Sequence, residues 1–450
     1  MGTDTVQAAA DETAERRREQ RGWYFYDWAC SVYSTSVLTV FLGPYLTSVA
    51  KSAADVDGYV HPLGIPVRAG SFFAYCVSAS VVLAVIVMPL AGTAADRSGR
   101  KKPLLALSAY LGAAATTGMF FLDGERYLLG GLLLIVANAS VAVSMVIYNS
   151  YLPQIAPPEE RDAVSSRGWA FGYAAGSSVL VANLVLFTAH DSFGVSESTA
   201  VRICLASAGV WWGAFTLVPL RRLRDRRTAS TPPGAPAVHG WRQLAATVRD
   251  MRGKPLTLAF LLAYLVYNDG IQTVISQASV YGSEELGLSQ STLIAAVLLV
   301  QVLAVGGALG MGRLARTYGA KRTVLGSLVA WALTLAAGYF LPAGAPVWFF
   351  VLAAGIGLVL GGSQALSRSL FSHLVPPGKE AEYFSAYEMS DRGMSWLGPL
   401  LFGLTYQLTG SYRDAIISLV AFFAIGFALL ARVPVRQAVR AAGNPVPETI

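Results

Sequence analysis

The sequence predicts an all-α membrane protein of twelve transmembrane helices, arranged as two pseudo-symmetric six-helix bundles. Three observations predict it: apolar runs long enough to cross a bilayer, a one-sided distribution of Lys and Arg between them, and a repeat in the connecting loops. Of the 450 residues, 54% are hydrophobic and only 14% charged, where a soluble domain carries about 25%. Tyr127–Ile147 and Phe349–Leu366 contain no charge at all, and about 20 apolar residues suffice to span a bilayer as a helix. Backbone groups in lipid must be satisfied internally, so such runs are helices. The alternating ten-residue segments of a membrane barrel are absent.

With that length as ruler, the spans fall at 24–50, 69–93, 103–122, 127–151, 168–189, 199–219, 256–281, 291–315, 323–341, 347–371, 394–409 and 415–433. Only Lys51, Arg68, Arg126, Arg202 and Arg413 lie on one side; the other 29 of 34 basic residues lie in the N-terminus, the even-to-odd loops and the C-terminus. This places both termini in the cytoplasm and requires an even number of spans. The net charge of +7 is the loop bias of such a protein and implies no nucleic-acid partner. The run after the polar N-terminus is too long for a cleaved signal and remains as the first span. The chain divides into a tail at 1–21, a bundle at 22–220, a basic linker at 221–255, a bundle at 256–433 and a tail at 434–450. Within the linker, Trp241, Leu244, Val248 and Met251 stand at helical spacing opposite Arg242, Arg249 and Arg252. Two readings stand for this segment, a basic helix on the inner leaflet and a solvated linker helix.

Three landmarks recur in order. The loop after the second span has Gly92, Asp96, Gly99, Lys101 and Lys102; that after the eighth has Gly312, Arg316, Gly319, Lys321 and Arg322, offset by 220. Pro157-Pro158 matches Pro376-Pro377 at an offset of 219, and Ser165-Ser166-Arg167-Gly168 matches Ser390-Asp391-Arg392-Gly393 at 225. The last shift implies a loop about six residues longer in the second half. Parallel six-helix repeats are a transporter plan.

Polar groups within the spans are the candidate functional residues, because an ionisable group in mid-membrane costs about 2.5–3.5 kcal/mol on insertion scales. Asp269 lies deepest, in the seventh span, as a proton carrier or as a structural hydrogen-bonding group; Tyr264, Asn268 and Gln272 form a polar stripe beside it at i, i+4 and i+8. Asp27 near the end of the first span is either a coupling site or an interfacial acid. Asn138 and Asn149 share a face of the fourth span, and Gln364 and Arg368 stand one turn apart in the tenth. Arg368 could take a substrate carboxylate through two donors, but so near the span end snorkelling is favoured. Gly168, Gly172 and Gly176 form a close-packing ridge.

The Gly92-xxx-Asp96-Arg97-x-Gly99-Arg100-Lys101 segment resembles the signature loop of the major facilitator superfamily. Gly99 allows the tight turn, and Asp96 is placed to face a helix N-terminus, which favours a carboxylate. The resemblance implies that Gly92, Asp96, Arg97, Gly99, Arg100 and Lys101 form a conformational latch, asymmetric because Arg316 replaces the acid in the second copy. YDWACSVYST from Tyr26, YNSYLPQI from Tyr148, AYLVYNDGIQTVI from Ala263, and GGSQALSRSLF from Gly361 through SWLGPLLFG at Ser395, are similar to the vacuole effluxer family, along nearly the whole chain. That family includes the autophagy-related vacuolar amino-acid permeases and bacterial relatives; the short loops here resemble a bacterial member in the cytoplasmic membrane. The resemblance implies export of a small solute, amino acids foremost; with the repeat, the signature loop and Asp269, the chain reads as a secondary transporter with protons as the expected coupling ion. The alternative is the same fold used as a lipid scramblase, sensor or interaction scaffold. No P-loop, no HExxH and no paired acids for metal-diphosphate chemistry occur, so neither an ATP-driven pump nor a membrane enzyme is expected. Nor is a cofactor, a metal or an obligate protein partner.

Overall fold

The computed structural model describes residues 2–69, 72–226, 249–392 and 397–450. Its helices are α1 (Gly2–Val32), α2 (Leu42–Ser52), α3 (Phe72–Ser98), α4 (Lys101–Gly118), α5 (Tyr127–Asn149), α6 (Leu152–Ile155), α7 (Arg161–Thr188), α8 (Glu197–Arg222), α9 (Pro255–Val280), α10 (Gln290–Tyr318), α11 (Ala320–Tyr339), α12 (Pro346–His373), α13 (Glu380–Arg392), α14 (Leu397–Thr409), α15 (Tyr412–Ser418), α16 (Val420–Arg432) and α17 (Val435–Ala441). A π-helical segment, Tyr33–Phe41, joins α1 to α2. Ten of the described helical stretches are long and apolar enough to cross a membrane. Two more, α11 and α14, occupy the ninth and eleventh places of the expected series; α11 opens on Lys321 and Arg322, which dilute its apolar length.

Three boundaries differ from the sequence expectation. The polar stretch before the first span is helical and continuous with it from Gly2. The fifth span begins at Arg161, two turns early, because nothing in 161–168 breaks a helix. The long loop expected before the eleventh span contains α13, whose Ala381, Tyr383, Phe384 and Tyr387 are buried. Burial of these apolar residues stabilises a helix that a charge count reads as loop. Trp241, Arg242, Leu244 and Val248 of the expected basic helix lie outside the described residues, as do Gly393, Ser395 and Trp396; residues 249–252 form a helical turn.

The chain forms two compact units, residues 1–149 with 174–227, and residues 150–173 with 228–450. In the first, close neighbours run α3–α5–α4–α8–α1; in the second, α10–α12–α11–α16–α9. In span number these are 2–4–3–6–1 and 8–10–9–12–7, so the repeat seen in three loops extends to helix packing. Gly99 and Gly319, at equivalent turns, have φ of +60° and +86°, a region that strains any residue with a Cβ.

Without water to drive helices together, spans associate through small residues that let backbones touch. A Cβ on Gly307 of α10 would fall on the Leu358 carbonyl of α12, and one on Gly357 would lie 2.7 Å from the Val300 oxygen. Gly306 and Gly310, on the same helix, have nothing within 4 Å. Gly307→Ala is therefore expected to lower stability in detergent by about 1–3 kcal/mol, whereas Gly306→Ala and Gly310→Ala should be neutral or stabilise by up to about 1 kcal/mol. Thermal unfolding of the three variants checks this contrast, and equal midpoints would contradict the close approach.

Candidate functional site

In the first unit, Asp27 is buried, only 5% exposed. The Tyr148 hydroxyl of α5 donates to its Oδ2 at 2.6 Å. Tyr148 is itself held by Trp23, which stacks on it at 4.3 Å and donates its indole N–H to the Tyr148 carbonyl at 2.9 Å. Asn138, ten residues back from Tyr148 on α5, faces a different group. Its Nδ2 donates to Ser80 Oγ at 2.8 Å, and its Oδ1 accepts from Tyr33 in the π-helical segment at 3.4 Å. Asn149, at the end of α5, is buried.

The signature loop turns at Gly99 between α3 and α4. Asp96 and Lys101 are both buried and form an ion pair across the turn at 3.4 Å. Gly92 is buried, Arg97 is half-buried and Arg100 is exposed. Asp225, beyond α8, accepts the Lys102 backbone N–H at 2.8 Å and so caps the start of α4. Its neighbours Arg224 and Arg226 pair with Glu15 and Glu19 of α1.

In the second unit, Asp269 is 2% exposed and accepts the Gly398 backbone N–H at 2.8 Å through Oδ2. Gly398 sits in the first turn of α14, where orphan amides and the helix dipole both favour an anion. Only glycine fits there, since a Cβ would overlap the Thr273 hydroxyl. Thr273 in turn donates to the Asp269 carbonyl at 2.7 Å. Of the stripe residues, Tyr264 and Asn268 both donate to Asp391 Oδ1, at 3.1 and 2.5 Å. Tyr264 also stacks on Tyr387 at 4.4 Å. Gln272, half-buried, joins neither contact.

Snorkelling of Arg368, favoured by its place near the span end, does not occur: the side chain is 1% exposed. Its Nε donates to Ser165 Oγ and its Nη2 to the Ser165 carbonyl, both at 2.9 Å, and the guanidinium lies 5.3 Å from the Trp169 ring centre. A fork with two donors engaged and an aromatic face beneath it is stable away from water. One turn back, Gln364 Oε1 accepts from the Tyr173 hydroxyl at 2.8 Å. Arg161 likewise donates to the Ser372 carbonyl at 2.9 Å.

Sequence reasoning missed the partners rather than the principals. Asp391 was visible only as a loop landmark matching Ser166, and Gly398 carried no polar signal. Asp250, at the end of the linker, also escaped notice. It accepts from Tyr383 at 2.7 Å and pairs with Lys379 at 3.0 Å. Burial pushes its carboxyl up, but the Tyr383 hydroxyl and the Lys379 ammonium outweigh this and hold it below the usual carboxylate range. Burial pulls Lys254 down, although Asp250 opposes the shift.

The family described as Vacuole effluxer Atg22 like matches residues 15–443. The MFS-type transporter YxiO of Bacillus subtilis (strain 168) is 30% identical over 420 residues, covering 93% of this chain and 95% of that protein. Autophagy-related protein 22 of Pyricularia oryzae is 26% identical over 512 residues, with 91% and 75% covered. Among solved structures, the proton:xylose symporter XylE has a TM-score of 0.67 at 14% identity, covering 94% of this chain and 96% of that one. A bacterial homologue of the iron transporter ferroportin in the outward-facing state gives 0.66 at 15%, with 93% and 98% covered. At such identities these structures speak to the fold, which is that of major facilitator transporters.

Two measurements test the site geometry. Tyr148→Phe should cost about 1.5–3 kcal/mol if Asp27 is ionised, whereas Tyr267→Phe, which loses a neutral bond to Ser367 at 2.6 Å, should cost about 0.5–1.5. Unfolding of both variants gives the comparison, and equal costs would argue for a neutral Asp27. Because the folded pKa of Asp250 is depressed, its contribution is present above the unfolded value of about 3.9 and is lost as pH falls through the lower folded value. The midpoint difference between wild type and Asp250→Asn should therefore shrink on acidification below about pH 4. A difference constant down to pH 2 would contradict the assignment.

Proposed function

Because the chain belongs to the Vacuole effluxer Atg22-like family of major facilitator transporters, we propose that it exports a small solute, amino acids foremost, by proton-coupled alternating access. Transport of a small molecule across the bilayer is the business of the family and the fold. The solute and the coupling ion are the proposal.

The observation that carries proton coupling is the environment of Asp269. It is the carboxylate buried within α9, and a neutral backbone N–H, not a cation, answers it at 2.8 Å. Among the described residues its Oδ1 has no hydrogen-bond partner. A buried carboxylate with one open oxygen can accept a proton without breaking an ion pair. Loss of its charge would also weaken its hold on the start of α14, linking protonation to helix position. Asn268, Tyr264 and Gln272 of the same helix, and Gln364 and Arg368 of α12, are the polar groups that would meet a solute. In the first half, Asp27, Asn138 and Asn149 have the corresponding role. Gly92, Asp96, Arg97, Gly99, Arg100 and Lys101 act as the latch, with the Asp96–Lys101 pair setting the shape of its turn.

The halves are residues 22–220 and 256–433, tethered by 221–255, and the tails at 1–21 and 434–450 lie in the cytoplasm. The Lys and Arg asymmetry supports this orientation, and the Bacillus relative supports a bacterial cytoplasmic membrane.

Proteoliposomes loaded with individual labelled amino acids test the reading. Efflux of at least one of them should accelerate under a pH gradient. Asp269→Asn should fall to the rate seen without a gradient while still exchanging solute across the membrane. Failure to move any amino acid would remove the substrate class, and undiminished gradient-driven flux in the variant would remove Asp269 as the carrier.

A further inference from the structure

The first helix carries two faces where it leaves the membrane. One bears Glu15 and Glu19, which pair with Arg224 and Arg226, and Gly22, where the backbone meets Arg222 at the end of α8. The guanidinium of Arg222 lies 5.9 Å from the Phe25 ring centre. The other face bears Arg17, Arg18 and Arg21, all exposed, within an arc of about 100°. Arg221, in the last turn of α8, is also exposed. Both acids of this stretch are thus already engaged, and none of these four arginines has a hydrogen bond, ion pair or ring contact among the described residues.

Their depth is fixed by the helix itself. The apolar run of the first span begins at Tyr24. With a rise of about 1.5 Å per residue, Arg21 lies about 4.5 Å and Arg17 about 10 Å beyond it. The polar layer on each side of a bilayer is about 5–8 Å deep, so the guanidiniums lie within or at the edge of the head groups. Each has a fork of donors suited to phosphate.

We propose that this face, Arg17, Arg18 and Arg21, is a docking surface for the phosphate groups of anionic phospholipids. The lipid holds the emerging end of α1, whose other face clamps the start of the linker through Glu15 and Glu19. Anionic lipid composition would thereby bear on how firmly the linker start is held.

The experiment adds phosphatidylglycerol, phosphatidylcholine or inorganic phosphate to the full chain in neutral detergent and follows the thermal unfolding midpoint. Phosphatidylglycerol should raise it saturably, and less so at high salt; the other two should not. In the triple variant R17Q/R18Q/R21Q the apparent affinity should fall about a hundredfold, from roughly fivefold for each cation near an anionic surface. The triple lysine variant should keep most of it, which separates charge from fold. Equal stabilisation by phosphatidylcholine, or an unchanged affinity in the glutamine variant, would overturn the proposal. A response to inorganic phosphate matching that to phosphatidylglycerol would make this a free-anion site instead. None of these readouts depends on solute transport.

Discussion

Inside a bilayer no water stands ready to satisfy a polar group, and nearly every feature of this chain answers to that constraint. It makes each apolar run a helix, because only a helix closes its own backbone hydrogen bonds. Several polar side chains carried into the spans find a partner on another helix. Asp27 finds Tyr148, Asn138 finds Ser80, and Trp331 donates to Ser363, which donates to Ser327. Asp269 finds a backbone N–H at the first turn of α14. Such bonds tie helices that lipid tails would otherwise leave indifferent to one another, and glycines at α10 and α12 bring the backbones close enough for packing to do the rest.

The two units solve the problem with one arrangement of helices and different side chains. Neighbours run in the same order by span number in both, and both signature turns are made at a glycine with positive φ. At equivalent positions the chemistry departs. Tyr148 of the fourth span corresponds to Ser367 of the tenth by the 219 offset: one donates to a carboxylate, the other bonds a tyrosine. Its neighbour Asn149 corresponds to Arg368, which is seated on Ser165 and Trp169. Asp96, paired with Lys101, corresponds to an exposed Arg316. The duplicated scaffold thus carries unequal polar interiors.

Outside the membrane, charge orders what hydrophobicity cannot. Three consecutive residues at the start of the linker, Arg224, Asp225 and Arg226, are taken by Glu15, the first turn of α4 and Glu19. At its far end, Asp250 is taken by Lys379 and Tyr383 of the second unit.

The sequence by itself determined the class, the span series, the duplication and the family resemblance. Those are written in composition, run length and loop spacing, which depend on neighbours along the chain. It also singled out Asp269, Asp27 and Arg368, because a charge within an apolar run stands out without any knowledge of what lies beside it. Only the tertiary structure decided what these groups do with their charge. Arg368 was expected to reach for water, and instead Ser165, some two hundred residues away, supplies its hydrogen bonds. Asp269 is answered by Gly398, a residue with no polar side chain to betray it. The helix at Glu380–Arg392 was likewise hidden, since its charges read as loop while Tyr383, Phe384 and Tyr387 are buried against the second unit. Run length is a local quantity and so is legible in one dimension. A buried charge is stabilised by whichever distant backbone or side chain the fold brings to it, and no spacing along the chain records that meeting.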